Sequence, residues 1–254
     1  MENRRFLRTQ ALLGEQGMEN LRCSRVMVVG LGAVGGYALE ALARSGIGAL
    51  VLVDFDIVEE TNVNRQILAL TSTIGRKKTE VARARVLDIN PDCHVETKDV
   101  FVNADTLENL FSEPVDYVVD AIDALNPKCC LIEFLYRRGI PFVSSMGAAL
   151  KSDPGCIRLT TLNKTKNCSL ARFIRKRLKR REVDISKVCC VASEEQCCLP
   201  ETAIFMDSES KNEIISCDAP GRKRHTLGSL PAITAIFGLT AANEVIKKLS
   251  KKLV

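Results

Sequence analysis

Short runs of aliphatic and β-branched residues alternate along the chain with segments of helical periodicity. The runs Val26–Val29 and Leu50–Val53 flank a helical segment over Val34–Arg44. The same alternation continues with helices over Lys77–Asn90 and Lys128–Arg138 and strands over Val115–Val119 and Ile140–Val143. Strands that alternate with helices form parallel βαβ units. We therefore predict a Rossmann-like, doubly wound, mostly parallel α/β sheet.

The pattern is less regular after residue 150. The predicted elements there are a strand over Ile157–Thr161, a helix over Leu170–Arg181, a strand over Val188–Val191, a crossover loop over Ser193–Arg224, and a final helix that starts near Pro231 with Ser229 placed to cap it. The chain is thus predicted to be a single unit over residues 1–254. A nucleotide-binding core occupies residues 1–150, and a smaller C-terminal lobe occupies residues 151–254.

The composition fits a protein with a substantial core, since 46% of the 254 residues are hydrophobic and 26% are charged. No stretch has the apolar run of a signal peptide or the roughly 18 apolar residues of a membrane span. Eleven cysteines spread through a long chain favour reduced thiols. We therefore expect a cytoplasmic protein without a membrane span. The net charge of +5 is too modest to indicate nucleic-acid binding by itself.

A glycine-rich motif follows the first predicted strand. Gly30, Gly32 and Gly35 form the pattern G-x-G-x-x-G and open the first helix. Backbone N–H groups and the helix dipole favour phosphate at such a position. Asp54 ends the next strand, where a carboxylate can accept hydrogen bonds from both ribose hydroxyls. Tight turns and helix–sheet packing are the alternative explanation for the glycines.

The segment after Asp54 helps to distinguish ATP from NAD as the nucleotide. The glycine motif alone suits NAD as well as ATP, so it leaves a dehydrogenase open. Arg65 and the run Gly75–Lys78 add cations within reach of a longer polyphosphate. A triphosphate needs such cations in a partly desolvated site. The segment therefore favours ATP.

Four stretches resemble the ThiF/MoeB/ubiquitin-activating family, whose members adenylate carboxylates. They are the glycine motif, Asp54–Gln66, Gly75–Lys78 and Val119–Asp123. The resemblance implies one role for each of several residues: Asp54 binds ribose, Asn62 and Arg65 contact phosphates, Lys78 reaches the triphosphate, Asp123 holds Mg²⁺, and Asp56 orients the Arg65 loop. Taken singly, each has a plainer alternative. Asp120 or Asp123 could cap the next helix, and Arg65 or Lys78 could be a solvated surface charge.

The N-terminal segment Arg5–Gln10 resembles the R-[YF]-x-R-Q segment of the same family, with Thr9 as one additional residue before the glutamine. In dimeric relatives the second arginine enters the ATP site of the partner. The resemblance therefore implies a homodimer in which Arg8 is supplied in trans.

Other stretches indicate a branch of the family. Sulfur-carrier activators usually have two C-x-x-C pairs that bind zinc, and this chain has none. Arg83–Pro91, Asp120–Asp123, Val191–Glu195 and Arg222–Ser229 resemble the tRNA threonylcarbamoyladenosine dehydratase family. Members of that family use ATP to cyclise the threonylcarbamoyl group on the adenosine beside the anticodon. The resemblance implies tRNA as the substrate and leaves a sulfur-transfer protein as a further partner.

A dense run of positive charge lies in the second half of the chain. Seven of the ten residues from Arg172 to Arg181 are Lys or Arg. Four apolar residues are predicted to fall on one helical face: Leu170, Phe173, Ile174 and Leu178. The cationic face fits RNA phosphates, and a solvated amphipathic helix is the alternative. Together with the resemblance, the charge favours binding of the tRNA backbone.

Two other functions stay open at this level. The chain could activate the C-terminal glycine of a ubiquitin-like sulfur carrier, against which the missing C-x-x-C pairs count. It could also be a nucleotide sensor or scaffold with a degenerate site, against which Arg65, Lys78 and Asp123 count together. Both an adenylate and an acyl phosphate are compatible with these residues as the activated intermediate.

The cysteines carry a weaker hypothesis. Cys189-Cys190, Cys197-Cys198 and Cys217 could assemble a zinc site, but adjacent thiolates are an atypical ligand spacing. Cys190 lies at a predicted strand that faces the C-terminal lobe and could act as a covalent nucleophile, but we expect it to be a buried structural residue.

Overall fold

The structure is a computed structural model that describes residues 4–196, 204–205 and 226–251. The helices are α1 (Leu7–Arg22), α2 (Gly35–Arg44), α3 (Lys78–Ile89), α4 (Leu107–Leu110), α5 (Leu125–Arg138), α6 (Ser169–Arg180) and α7 (Pro231–Ser250). The strands are β1 (Arg25–Val29), β2 (Ala49–Val53), β3 (His94–Lys98), β4 (Tyr117–Asp120), β5 (Phe142–Ser145), β6 (Ile157–Thr161), β7 (Cys189–Ser193), β8 (Ile204–Phe205) and β9 (Thr226–Leu227). Most of the predicted crossover loop, Ser193–Arg224, lies outside the described residues.

Seven strands form one sheet in the order β3-β2-β1-β4-β5-β7-β6. β1 pairs in parallel with both β2 and β4, whereas β6 runs antiparallel to β7 at one edge. The chain therefore builds the sheet outward in both directions from β1 and β4. In open α/β sheets, ligands bind at the carboxyl ends of the strands where the order reverses in this way. The predicted doubly wound, mostly parallel α/β class is confirmed.

The C-terminal helix α7 returns to the first half of the fold and packs against α2 and α1. Its buried face includes Phe237 and Ala241. Gly238 allows the closest approach, because a Cβ atom at this position would lie 2.3 Å from the carbonyl oxygen of Val34. Val34 directly precedes α2 and belongs to the glycine-rich loop. The last helix therefore supports that loop from behind.

Some element boundaries differ from the predictions. α5 begins at Leu125 rather than Lys128, because Pro127 fits within a first helical turn. The strands β4 and β5 lie up to two residues later than predicted. α7 starts at Pro231 as predicted, but its N-cap residue is Leu230 and no side chain caps it, so the predicted cap at Ser229 is wrong.

Several elements were not predicted, and two of them, α1 and β3, have weak sequence signals. α1 contains Gly14 with φ of +75°, which interrupts the helix with a kink. β3 has the polar sequence His94–Lys98 and lies at an edge of the sheet, where strands need not be apolar. Within the described part of the chain, no helix has the length and apolar character that a membrane crossing requires.

We predict that Gly238→Ala lowers the free energy of unfolding by about 1–2 kcal/mol, measured by urea denaturation. Alanine gains about 1 kcal/mol in helix propensity. The new Cβ, however, would push α7 away from Val34. Leu239→Ala, at the exposed neighbouring position, is the control and should change stability by less than about 0.5 kcal/mol. Wild-type stability of Gly238→Ala would contradict the close helix approach.

Candidate nucleotide-binding and active site

The three motif glycines have different physical roles. A Cβ at Gly30 would lie 2.9 Å from the carbonyl oxygen of Ala121, and one at Gly35 would lie 1.7 Å from the carbonyl oxygen of Gly30. Packing alone therefore requires both of these glycines. A Cβ at Gly32 would meet only Gln66 Nε2, at 3.9 Å. Packing does not explain Gly32, which leaves open space beside the loop where a phosphate could approach the backbone.

Asp54, at the end of β2, is fastened to the glycine loop. Its Oδ2 accepts a 2.6 Å hydrogen bond from the backbone N–H of Leu31, and its Oδ1 accepts one of 2.9 Å from that of Asp56. Burial raises the pKa of Asp54 above its ordinary value, and the positive charge of Lys78 opposes that shift. A carboxylate has about four lone-pair sites, so acceptor capacity remains for ribose hydroxyls.

Lys78 lies at the same carboxyl end of the parallel strands as Asp54. It begins α3, its side chain is only 7% exposed, and its Nζ lies 3.0 Å from Oδ2 of Asp56. The partial positive charge of the helix N-terminus adds to that of the ammonium group. The carboxylate of Asp56 pairs with Lys78, and its predicted role in orienting the Arg65 loop stays a prediction. The alternative interpretation of Lys78 as a solvated surface charge is wrong.

Asn62 and Arg65 lie in a turn that their own side chains stabilise. Arg65 Nη1 donates 2.8 Å hydrogen bonds to the carbonyl oxygen of Thr61 and to Oδ1 of Asn64. The buried Asn62 accepts a hydrogen bond from the backbone N–H of Glu59 through Oδ1, at 3.3 Å. Arg65 is half-buried, so part of its surface is accessible. Contact of these two residues with phosphates stays a prediction.

Gln66 is a residue to which the sequence reasoning assigned no role. Its side chain is buried beside Gly32, and its Oε1 has no hydrogen-bond partner among the described residues. An unsatisfied buried acceptor costs about 1–3 kcal/mol. A donor group on a ligand at the glycine loop would remove that cost. In the sequence, the signal that could have indicated Gln66 as a site residue was its position directly after Arg65.

A buried ion pair lies beneath the loop that carries Asp123. Asp120 ends β4, Lys128 lies in the first turn of α5, and their Oδ2 and Nζ atoms are 2.9 Å apart with both side chains fully buried. Ser144 Oγ donates to the same carboxylate at 2.7 Å, and Lys128 Nζ donates to the carbonyl oxygen of Ile122 at 2.8 Å. Sequence reasoning missed Lys128, because lysine is rarely buried.

Asp123 has the opposite environment. Its side chain is exposed and forms no hydrogen bond or ion pair with any other described residue. The N-cap residue of α5 is Ala124, without a side-chain cap, so the capping alternative is wrong for Asp120 and for Asp123. The loop itself packs on the glycine motif, since a Cβ at Gly30 would lie 3.2 Å from the backbone nitrogen of Ile122. Asp123 is therefore a carboxylate beside the glycine loop that has no partner among the described residues.

Arg8 is not part of this cluster within one chain. The neighbouring Arg5 donates through Nη1 to the carbonyl oxygen of Ile89, at 3.3 Å. Ile89 ends α3, whereas Lys78 begins it, and a helix of 12 residues is roughly 18 Å long. The exposed Arg8 therefore lies towards the amino ends of the parallel strands, whereas its own glycine loop lies at their carboxyl ends.

The surroundings of Cys190 do not favour a role as a catalytic nucleophile. Cys190 is fully buried on β7, and burial raises its pKa to about 12, so its thiol is not ionised near neutral pH. Across the described ranges, no group of three or more His, Cys, Asp or Glu residues is arranged to hold a metal ion. Cys197, Cys198 and Cys217, which the zinc hypothesis needs, lie outside the described residues.

The basic helix α6 exposes a cationic face. Ala171, Ile174 and Leu178 form its buried face. Phe173 was predicted on that face, but it is 46% exposed, because its position on the helix turns it away from the core. The exposed cations on this helix are Arg172, Lys176, Lys179 and Arg180.

Arg175 differs from these exposed cations. Its Nη1 donates to the carbonyl oxygen of Thr165 at 2.8 Å and to Oγ1 of the same residue. The guanidinium therefore anchors α6 to the preceding turn.

The chain is similar to known proteins over nearly its whole length. The chain is 38% identical over 247 residues to a tRNA threonylcarbamoyladenosine dehydratase of Bacillus subtilis, covering 97% of this chain and 94% of that protein. It is 39% identical over 258 residues to the Escherichia coli protein of the same name, covering 98% and 94%. The crystal structure of the E. coli tRNA N6-threonylcarbamoyladenosine dehydratase in complex with ATP superposes with a TM-score of 0.83 at 36% identity, covering 96% of this chain and 93% of that one.

A sequence profile of the ThiF family matches residues 4–253. This range includes the glycine loop, Asp54, Lys78 and Asp123. The resemblance seen in the sequence is thus confirmed, and the chain belongs to the ThiF family.

Proposed function

We propose that this chain is an ATP-dependent tRNA threonylcarbamoyladenosine dehydratase. It activates the carboxylate of the threonylcarbamoyl group on a tRNA adenosine with ATP, and the activated group then cyclises. The observation that carries the proposal is the convergence of Gly32, Asp54, Lys78 and Asp123 around the carboxyl ends of the neighbouring strands β2, β1 and β4. High similarity over the full length of two dehydratases supports this substrate class.

ATP is the proposed nucleotide, in preference to NAD. A dinucleotide presents two phosphates, which backbone N–H groups of a glycine loop can bind without cations. Lys78 is held at 7% exposure by Asp56, which places an extra positive charge at the loop. That charge suits the longer, more anionic triphosphate. The ATP complex of the E. coli relative supports the same choice.

Mg²⁺ is the proposed metal, with Asp123 as its protein ligand. Mg²⁺ usually takes one or two carboxylates, substrate phosphate oxygens and several waters. The exposed carboxylate of Asp123, without a partner among the described residues, fits that donor set. When bound, the ion neutralises charge on the phosphates of ATP.

Activation is needed because a free carboxylate is a poor electrophile. A carboxylate oxygen of the substrate attacks a phosphorus atom of ATP, and the P–O bond to the leaving phosphate group breaks. The product is a mixed anhydride. Lys78 and Arg65 stabilise the negative charge on the phosphoryl oxygens in the transition state.

Cyclisation follows within the substrate. The neighbouring carbamoyl group attacks the carbonyl carbon of the anhydride and expels the phosphate group, which keeps the carboxylate oxygen. The net change in the RNA is the loss of one water. Tethering gives the nucleophile a high effective molarity, so no protein nucleophile is required. The buried, un-ionised Cys190 is consistent with this route.

A homodimer is the proposed assembly. Large apolar side chains are exposed on the segment between Asp54 and Lys78: Phe55, Ile57, Val63, Leu70 and Ile74. Exposed apolar groups at this density favour an interface. Since Arg8 lies away from its own glycine loop, it would act only in the site of the partner subunit.

A tRNA substrate favours the cytoplasm as the location of the protein. A sulfur-transfer protein as a further partner stays a prediction from the resemblance alone.

The proposed tRNA surface is α6. The helix contains no Asp or Glu, and Arg172, Lys176, Lys179 and Arg180 form no ion pair within the described residues. A merely solvated helix would usually balance some of this charge with i,i+4 acidic partners. Phosphates of an RNA backbone supply the missing negative charge.

We predict that the protein with ATP converts threonylcarbamoyl-modified tRNA to a product lighter by one water, and that Asp123→Asn lowers the rate at least ~100-fold. Mass spectrometry of the digested RNA measures the product, and the co-product, AMP or ADP, identifies the phosphate that is attacked. Stability should change little, since Asp123 has no described partner. Asp105→Asn, another exposed carboxylate, is the control. Adenylation of a ubiquitin-like carrier instead of reaction with tRNA would overturn the proposal.

We predict that inactive Arg8→Ala and Lys78→Ala proteins recover activity when mixed. After random subunit exchange, half the dimers are hybrids with one complete site, so about a quarter of wild-type activity should return. The reaction rate with modified tRNA measures this recovery. Proven subunit exchange without recovery would contradict a shared site.

We predict that Lys176→Glu/Lys179→Glu weakens tRNA binding and makes its salt dependence shallower by roughly one unit per lost phosphate contact. ATP binding should not change. Lys247→Glu/Lys251→Glu, two exposed lysines at the end of α7, alters the net charge equally and is the control. If both double variants bind tRNA alike, α6 is only a solvated face.

A further inference from the structure

Phe173 is an exposed aromatic side chain in the middle of the cationic face of α6. Its ring is 46% exposed, and the guanidinium carbon of Arg172 lies over it, 5.0 Å from the ring centroid. Lys176 follows three residues later, and Arg177 follows four residues later, so both are neighbours on the helix surface. The ring therefore has cations at the preceding position and on the following turn of the helix, whereas Leu170 is its apolar neighbour on the preceding turn.

The core of the protein does not account for Phe173. The apolar stripe of α6 is complete without it, since Ala171, Ile174 and Leu178 are fully buried. A single exposed aromatic residue needs no explanation by itself. Here, however, the ring coincides with the strongest run of unpaired positive charge among the described residues. The combination of an aromatic face with adjacent cations matches what single-stranded nucleic acids require.

Helix α6 begins close to the carboxyl end of β5. Phe173 therefore lies towards the end of the sheet that carries the candidate active site. A Cβ at Gly147 would lie 3.4 Å from Sγ of Cys168 and 3.8 Å from Cβ of Leu170, at the start of α6. Gly147 closely follows the carboxyl end of β5, and β5 pairs with β4, which leads to Asp123. Phe173 is the fifth residue of α6, so it lies roughly 6 Å along the helix axis from that edge.

We propose that Phe173 and Arg172 form a stacking platform for an unpaired nucleobase of the RNA that flanks the reacting adenosine. The exposed part of the ring would contact the face of the base, and Arg172 and Lys176 would contact the adjoining phosphates. Stacking tolerates any base, because every base has a π face. The inference rests on the proposed tRNA function and adds the part of the substrate that the surface recognises.

An acidic peptide is the other partner that a basic face with an aromatic residue could bind. It would use the same cations, but its Asp and Glu side chains offer no flat ring to Phe173. Loss of the aromatic ring, with the apolar volume kept, therefore separates the two ligands. Phe173→Leu removes the ring and keeps an apolar side chain, whereas Phe173→Trp keeps an aromatic face.

The test measures binding of an unmodified single-stranded RNA oligonucleotide with the anticodon-loop sequence, in which one base flanking the target adenosine is 2-aminopurine. Stacking on the ring should change its fluorescence. We expect Phe173→Ala and Phe173→Leu to weaken binding on the order of 10-fold and to abolish the fluorescence change. Phe173→Trp should retain both. Because no phosphate contact is removed, the salt dependence should keep the wild-type slope in Phe173→Leu.

Two controls make the result specific. A fully duplex RNA, which offers no unpaired base, should bind wild type and Phe173→Leu equally. Leu239→Ala, an exposed apolar change on α7, should have no effect. Wild-type affinity and fluorescence in Phe173→Leu would overturn the platform, as would loss of binding in Phe173→Trp. If the platform alone is wrong, the wild-type protein still dehydrates modified tRNA, whereas failure of the proposed function removes that activity itself.

Discussion

The ion pair between Asp120 and Lys128 holds together the part of the fold on which the site depends. Both charges are removed from water, which costs several kcal/mol per ion. Their attraction, the hydrogen bond from Ser144 and the one to the carbonyl oxygen of Ile122 offset that cost. Removal of one partner from such a pair typically costs about 3–5 kcal/mol. The pair therefore joins β4, β5 and the first turn of α5 into one unit and fixes the turn that presents Asp123.

The same turn forms a wall of the nucleotide site. Gly30 approaches it so closely that a side chain would collide with Ala121, so the glycine loop and the Asp123 loop are in direct contact. Asp54 connects the glycine loop to β2 from the other side. Groups held in this way need little rearrangement when charge develops on a phosphate, and this preorganisation is a main source of catalytic stabilisation.

Polar groups divide into two classes across this edge of the sheet. Asp120, Lys128 and Asp54 are buried and have their partners within the chain. Asp123 and four cations of α6, Arg172, Lys176, Lys179 and Arg180, are exposed and form no ion pair with any described residue. The first class sets the geometry, and the second is accessible to the proposed ligands, which are Mg²⁺, the phosphates of ATP and RNA. Gln66 is intermediate, because it is buried yet keeps one acceptor unsatisfied beside Gly32.

Much of the fold and the site follows from the sequence by itself. The alternation between strand-like and helix-like hydrophobic periodicity identified most strands and helices. The positions of Gly30, Asp54 and Asp123 shortly after predicted strands placed these residues at the strand ends. Both signals are local in the sequence. Only the tertiary structure decided which side chains are paired. Lys128 is buried, and Phe173 is exposed, against the usual preferences of both residue types. Such outcomes depend on which elements pack together, and that information is not contained in the neighbours of a residue along the chain.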